Sequence, residues 1–265
     1  MNNESSKRGK MLFLSFLLTV SFFVLKVLQT RDLTLLEVFG VAGIAFLVSY
    51  LGQLIILGRD INKKVLLFIV PQSSMMIFSE ILFLQLYFFA RFDRAYEALI
   101  VLFILLVFFF AIYVTLLMAN IFSIASVRQI PLEQVAKTTS YILTLFSVYF
   151  MTFAILSSSM NVIITFALLG FVYVVAVITH LMHQKYDGSK TLQLTIIVAL
   201  AMLFGTIGGS FIGARPEIMS IIPVAISYAM IGSITVEDLK NLSFMTILQY
   251  FLFVIASYLL NFIIK

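Results

Sequence analysis

Glu80 is the only acidic residue set deep within an apolar stretch of this sequence. At 100° per residue, Gln72, Ser73, Ser79, Glu80 and Tyr87 fall within about 120° of one helix face, a polar stripe that should not meet lipid. A charged carboxylate at the bilayer centre costs at least about 2.5 to 3.5 kcal/mol, so Glu80 must be neutral, paired or wet. Two chemistries suit it. A protonated Glu80 can fasten its helix to a neighbour through a hydrogen bond, or it can take up and release a proton or bind a cation. No basic residue lies at comparable depth in another span, which favours protonation over a salt bridge. Thr206, Tyr149 and Thr152 lie at roughly similar depth and are the candidate hydrogen-bond partners.

Other chemistry-bearing residues point to less. His180 and His183 are one turn apart and can share a proton or a metal, but zinc needs three or four ligands, and the nearest acid, Asp187, lies on an ordinary polar turn. Residues at the membrane interface with polar tips are the plainer reading. Gly208-Gly209-Ser210 resembles the exposed serine of an intramembrane serine protease, with His180 as the imaginable base. Ser210 would sit about 28 Å from the end of its helix where His180 belongs, whereas general base catalysis needs about 3 Å, and Phe211 stands where such sites place a small residue. Helix packing explains the stretch better, through Gly205, Gly208, Gly209 and Gly213 and the spacing Gly209-xxx-Gly213. A locally unwound helix lining a cavity is the alternative, since Pro216 follows. With no cysteine, thiolate nucleophiles, disulfides and cysteine-ligated metals are excluded. No paired acidic motif of the kind that holds magnesium and diphosphate occurs inside a span, and no nucleotide-binding loop is present.

The elements that must position these residues follow from composition. The 265 residues are 62% hydrophobic and 11% charged, with a mean hydropathy of +1.14, which a water-soluble fold cannot bury. Apolar runs long enough to cross about 30 Å of hydrocarbon recur throughout, and helices satisfy their own backbone there. Nine spans are expected, over 11 to 28, 34 to 57, 65 to 90, 97 to 119, 138 to 158, 161 to 183, 191 to 213, 218 to 236 and 242 to 264. Eight is the alternative count. The first lacks a small-residue cleavage site and reads as retained rather than as a signal peptide.

The net charge of +5 is scattered over short loops, which argues for orientation in a membrane rather than for nucleic acid. A cytoplasmic N-terminus places eleven basic residues inside and six, Lys26, Arg31, Arg91, Arg94, Arg215 and Lys265, outside. The longest connection, Asn120 to Lys137, is too short for a soluble module, so residues 1–265 read as one integral membrane domain.

At the end of the fourth span stands Asn120-Ile121-Phe122-Ser123, followed by Ala125, Arg128, Pro131 and Glu133. With the flanking helices, over residues 60–185, this resembles an uncharacterised group of bacterial multi-pass membrane proteins with a similar pattern at an inter-helix junction. The resemblance implies a helical membrane architecture and bacterial origin, and no activity. Pro131 suits the first turn of the next helix and Glu133 its positive dipole end, while Arg128 and Lys137 suit cytoplasmic headgroups.

The sequence therefore describes an all-α, polytopic transmembrane helix bundle in a bacterial cell membrane. It calls for no cofactor or metal, and its partners are membrane lipid and other membrane subunits, not nucleic acid. A transport or channel-like protein, or a subunit of one, with a polar path at Glu80 is the first functional expectation. A structural or assembly protein is the second, and a lipid- or isoprenoid-modifying enzyme the third. Cysteines introduced at positions 4, 93, 159 and 187 of this thiol-free chain test the topology. Positions 4 and 187 should label from the cytoplasm and 93 and 159 from outside; cytoplasmic labelling of 93 overturns the orientation.

Overall fold

The computed structural model describes residues 2–29, 31, 33–58, 62–87, 95–125, 132–182, 188–213, 215–235 and 244–264. Among them there is no strand. The helices are α1 (Asn2–Leu28), α2 (Leu35–Leu57), a π-helical turn (Val65–Ile69) running into α3 (Val70–Tyr87), α4 (Ala95–Ala125), α5 (Leu132–Ser157), α6 (Val162–Leu181), α7 (Gly188–Ser210), α8 (Pro216–Met219), α9 (Ile221–Thr235) and α10 (Phe244–Ile263). They supply nine stretches long and apolar enough to span a membrane, α8 and α9 together making the eighth. This is an all-α multi-pass membrane protein.

Its polarity is inverted relative to a soluble fold. On α10, Phe251, Phe262 and Ile263 are exposed while Ser257 and Asn261 are buried. On α4, Leu99, Phe103, Leu106 and Phe110 are exposed. Water would reject such a surface, whereas hydrocarbon accepts the apolar face and forces hydrogen-bonding groups inward.

The helices cluster into two compact units, Met1–Leu143 and Thr144–Lys265, divided inside α5. In the first, α2 packs along α3, α1 lies on α2 and α4, and α3 also meets α4. α1 lies close at Gly52, where a Cβ would stand 2.7 Å from Leu14 Cδ2 and the leucine side chain would have to move aside. α2 begins at a reciprocal cap: Thr34 Oγ1 accepts from Glu37 N–H at 3.4 Å and Glu37 Oε2 accepts from Thr34 N–H at 2.8 Å. In the second unit, α7 packs on α6 and α9, and α10 on α8 and α9.

Several boundaries differ from the hydropathy reading. α4 continues helical through Asn120 to Ala125 and α5 starts at Leu132, so most of the expected junction is helix; Arg128 and Pro131, and the Glu133 side chain, lie outside the described residues. The π-helical turn was also not anticipated. Its cause is Pro71, which lacks an N–H and would crowd the carbonyl four residues back, at Leu67; the wider turn, closed by Val70 N–H to the Val65 carbonyl, relieves that contact.

The glycine stretch divides by role. A Cβ at Gly205 would fall 2.1 Å from Ile226 Cδ1, and one at Gly209 2.4 Å from Ile222 Cδ1, so this pair lets α9 approach α7. Gly208 faces Tyr258, whose Oη would lie 3.6 Å from its Cβ. Gly213 does not extend the packing spacing: α7 ends at Ser210, nothing lies within 4 Å of a Cβ at Gly213, and its φ of +74° serves a left-handed turn. Gly205→Leu and Gly209→Leu should each destabilise the detergent-solubilised protein by about 1 to 3 kcal/mol, the usual range for overpacking. Gly40→Ala, with nothing within 4 Å, should be neutral. Equal thermal midpoints for all three variants would remove the packing role.

Candidate functional site

Pro71 introduces the polar face of α3, and the side chains that follow it divide into those that bond another helix, Ser79, which bonds its own, and Glu80, which has a buried oxygen without a partner. Gln72 Nε2 donates to Ser140 Oγ on α5 at 2.8 Å. Ser73 Oγ donates to Gln53 Oε1 on α2 at 2.5 Å and lies 2.9 Å from the Val70 carbonyl. Gln53 Nε2 in turn donates to Ser49 Oγ at 3.1 Å and Ser74 Oγ at 3.2 Å. These six side chains are all buried and hold α2, α3 and α5 together. Ser79 turns back on its own helix, donating to the Met76 carbonyl at 2.7 Å.

Glu80 behaves differently. It lies seven residues after Ser73, hence within about 20° of the same face and about 10 Å further along, on the side of α3 that Ser73 turns toward α2. It is 6% exposed, and its fully buried Oε2 has no hydrogen-bond partner. The expected bond to a polar group on another helix is therefore not made. At this level α2 buries Ala42 and Ala45, whose methyl groups can neither donate nor accept. Two of the three candidate partners bond elsewhere: Tyr173 Oη lies 3.0 Å from Thr152 Oγ1 and 3.1 Å from Thr206 Oγ1, joining α5, α6 and α7. The Tyr87 side chain lies outside the described residues.

Towards the end of α3, a lysine counted on the outer side at the end of the first span proves to be buried in the protein. Lys26, in the last turn of α1, is buried and donates to the Gln85 carbonyl at 3.0 Å, while Gln85 Nε2 donates to Gln29 Oε1 at 3.0 Å. A charged residue within the first apolar run was its sequence signal. Gln53 and Ser49, four apart on α2, were legible by the stripe rule that found Gln72. Tyr173 had no signal beyond its burial.

The remaining candidates separate. His180 is buried at the end of α6, not at an interface with water, and His183 and Asp187 lie outside the described residues. Ser210 is exposed and donates to the Ile207 carbonyl of its own helix at 2.6 Å, which leaves no nucleophile and base in register. Among the described residues no group of three or more His, Asp or Glu side chains could hold a metal ion. No family model, curated protein or solved structure matches the chain.

Bonded and unbonded polar groups should respond oppositely to removal. Gln53→Leu and Gln72→Leu should each lower the unfolding temperature, at about 0.6 to 1.7 kcal/mol per bond lost inside a membrane protein. Glu80→Leu should leave it unchanged or raise it, because burying a group without a partner costs about 1 to 3 kcal/mol. A loss for Glu80→Leu matching that of Gln53→Leu, in thermal scans in one detergent, would show that Glu80 is bonded in the folded protein.

Proposed function

We propose that this multi-pass membrane protein moves protons or small cations across a bacterial cytoplasmic membrane, alone or as a subunit of a transport assembly, with Glu80 as the group that takes up and releases the ion. The observation that carries the reading is the buried, unpartnered Oε2 of Glu80 among neighbours whose bonds are made. A carboxyl held this way adds nothing to helix association and is costly to bury, so its place is explained by what it exchanges. It lies two turns from the Gln53–Ser73–Ser74 cluster on the same side of α3, with the buried Met76 and Ile77 between them.

An assembly role draws on a different set of facts, the cross-helix bonds of Gln53, Gln72, Tyr173 and Asn261. It accounts for those residues and leaves Glu80 without a purpose.

The two readings part at Glu80→Gln, which keeps shape and hydrogen-bonding capacity and removes ionisation. The purified chain in liposomes, loaded with a pH-sensitive or a sodium-sensitive dye and driven by a potassium diffusion potential, should show flux above that of empty liposomes. Glu80→Gln should melt at the wild-type temperature and show the flux of empty liposomes. Wild-type flux in Glu80→Gln, or no flux of either ion through the wild-type protein, overturns the proposal.

A further inference from the structure

Outside that path, the two ends of the first unit treat their charges differently. At one end the described cations are taken up by the protein: Arg31 pairs with Glu37 at 2.7 Å, and Lys26 is buried with its ammonium on the Gln85 carbonyl. At the other end stand Lys7, Arg8 and Lys10 on α1, and Lys63 and Lys64 before the π-helical turn. Arg8, Lys10, Lys63 and Lys64 are exposed, and none pairs with a carboxylate among the described residues.

The register of α1 on α2 brings these groups to one level. Leu14 sits against Gly52, and Lys7 Nζ donates to the Leu57 carbonyl at 3.4 Å, so the basic turn of α1 lies beside the C-terminal end of α2, itself favourable for a cation. Five residues after Leu57 the described chain resumes at Asn62, whose Oδ1 accepts from Lys64 N–H at 3.1 Å and orders the two lysines ahead of α3.

Directly beyond this level the surface turns apolar on all three helices. Phe13 and Phe16 on α1 are 66% and 59% exposed, Ile55 on α2 is 76% exposed, and Leu67 in the π-helical turn is 60% exposed. Exposed cations at the rim of an exposed apolar belt lie where hydrocarbon gives way to headgroups.

We infer that Lys7, Arg8, Lys10, Lys63 and Lys64 form a binding surface for anionic phospholipid, their side chains meeting headgroup phosphates while Phe13, Phe16, Ile55 and Leu67 meet the acyl chains. The apolar belt against the cations selects a lipid over a free anion, because a soluble phosphate has no use for it. The absence of an acidic partner on these exposed cations, against the paired and buried cations at the opposite end, makes the surface selective for negative over zwitterionic headgroups.

The full chain in neutral detergent tests this, through its thermal midpoint with added phosphatidylglycerol, phosphatidylcholine or inorganic phosphate. Phosphatidylglycerol should raise the midpoint by several degrees, less so at about 1 M salt where the screening length falls to about 3 Å. Phosphatidylcholine and inorganic phosphate should leave it in place. The variant R8Q/K10Q/K63Q/K64Q should lose the shift, and K63Q/K64Q alone, a milder change that keeps the fold if the fourfold variant does not, should lose part of it. Equal stabilisation by phosphatidylcholine, a full shift retained in both variants, or an effect of inorganic phosphate matching that of the lipid overturns the inference.

Discussion

A polar atom inside a bilayer has no water to fall back on, and the placement of almost every polar side chain here can be traced to how it meets that condition. Many hydroxyls meet it locally. Ser15, Thr19, Thr115, Thr195, Thr206, Ser220 and Ser233 each donate to the carbonyl four residues earlier, so they can lie on any buried face without a neighbour. Amides have more valences than one turn of their own helix can fill, and they reach across: Gln53 and Gln72 between α2, α3 and α5, Gln85 to Gln29 beyond α1, and Asn261 from α10 to the Ile218 carbonyl at 3.1 Å. A carboxyl is bound by the same condition, yet Glu80 meets it by neither route.

The same condition sets how the helices adhere. Lipid tails are as apolar as leucine, so helices gain little from hiding apolar faces from them, and contact comes from close backbone approach and hydrogen bonds. In the second unit these coincide. Gly205 and Gly209 admit Ile226 and Ile222 of α9, and the Gly205 carbonyl accepts from Tyr258 Oη of α10 at 2.8 Å. α10 otherwise exposes most of its length, and its buried residues are Ser257 and Asn261, so it is attached mainly by its polar groups.

Hydropathy made the nine spans legible because the length of an apolar run is fixed by the thickness it must cross. It did not place helix ends, since a helix continues into the headgroups for as long as its backbone can, as α1 does back to Asn2 and α4 does through Ala125. The stripe of Gln72, Ser73, Ser79 and Glu80 was visible by angle alone, and all four side chains are buried. Its partners were not visible, because Gln53 against Ser73 depends on the pairing of α2 with α3, which periodicity within one helix does not encode. Gly213 misled for a related reason: the four-residue spacing holds only while the chain stays helical, and α7 stops three residues short of it.

The concentration of polar groups on α3 follows from its enclosure. Of the third span, 67% is buried by protein, against 28% of the fourth and 11% of the ninth, so α3 can carry polar residues around more of its circumference than a helix that faces lipid. Pro71 is accommodated differently, by the wider π-helical turn that precedes it. The amides are permitted by enclosure, and that circumstance does not extend to a carboxyl without a partner. Enclosure makes Glu80 more costly, since it withholds water without supplying a donor. A leucine or methionine at position 80 would leave no buried oxygen without a donor, so the fold alone gives no reason for an acid there.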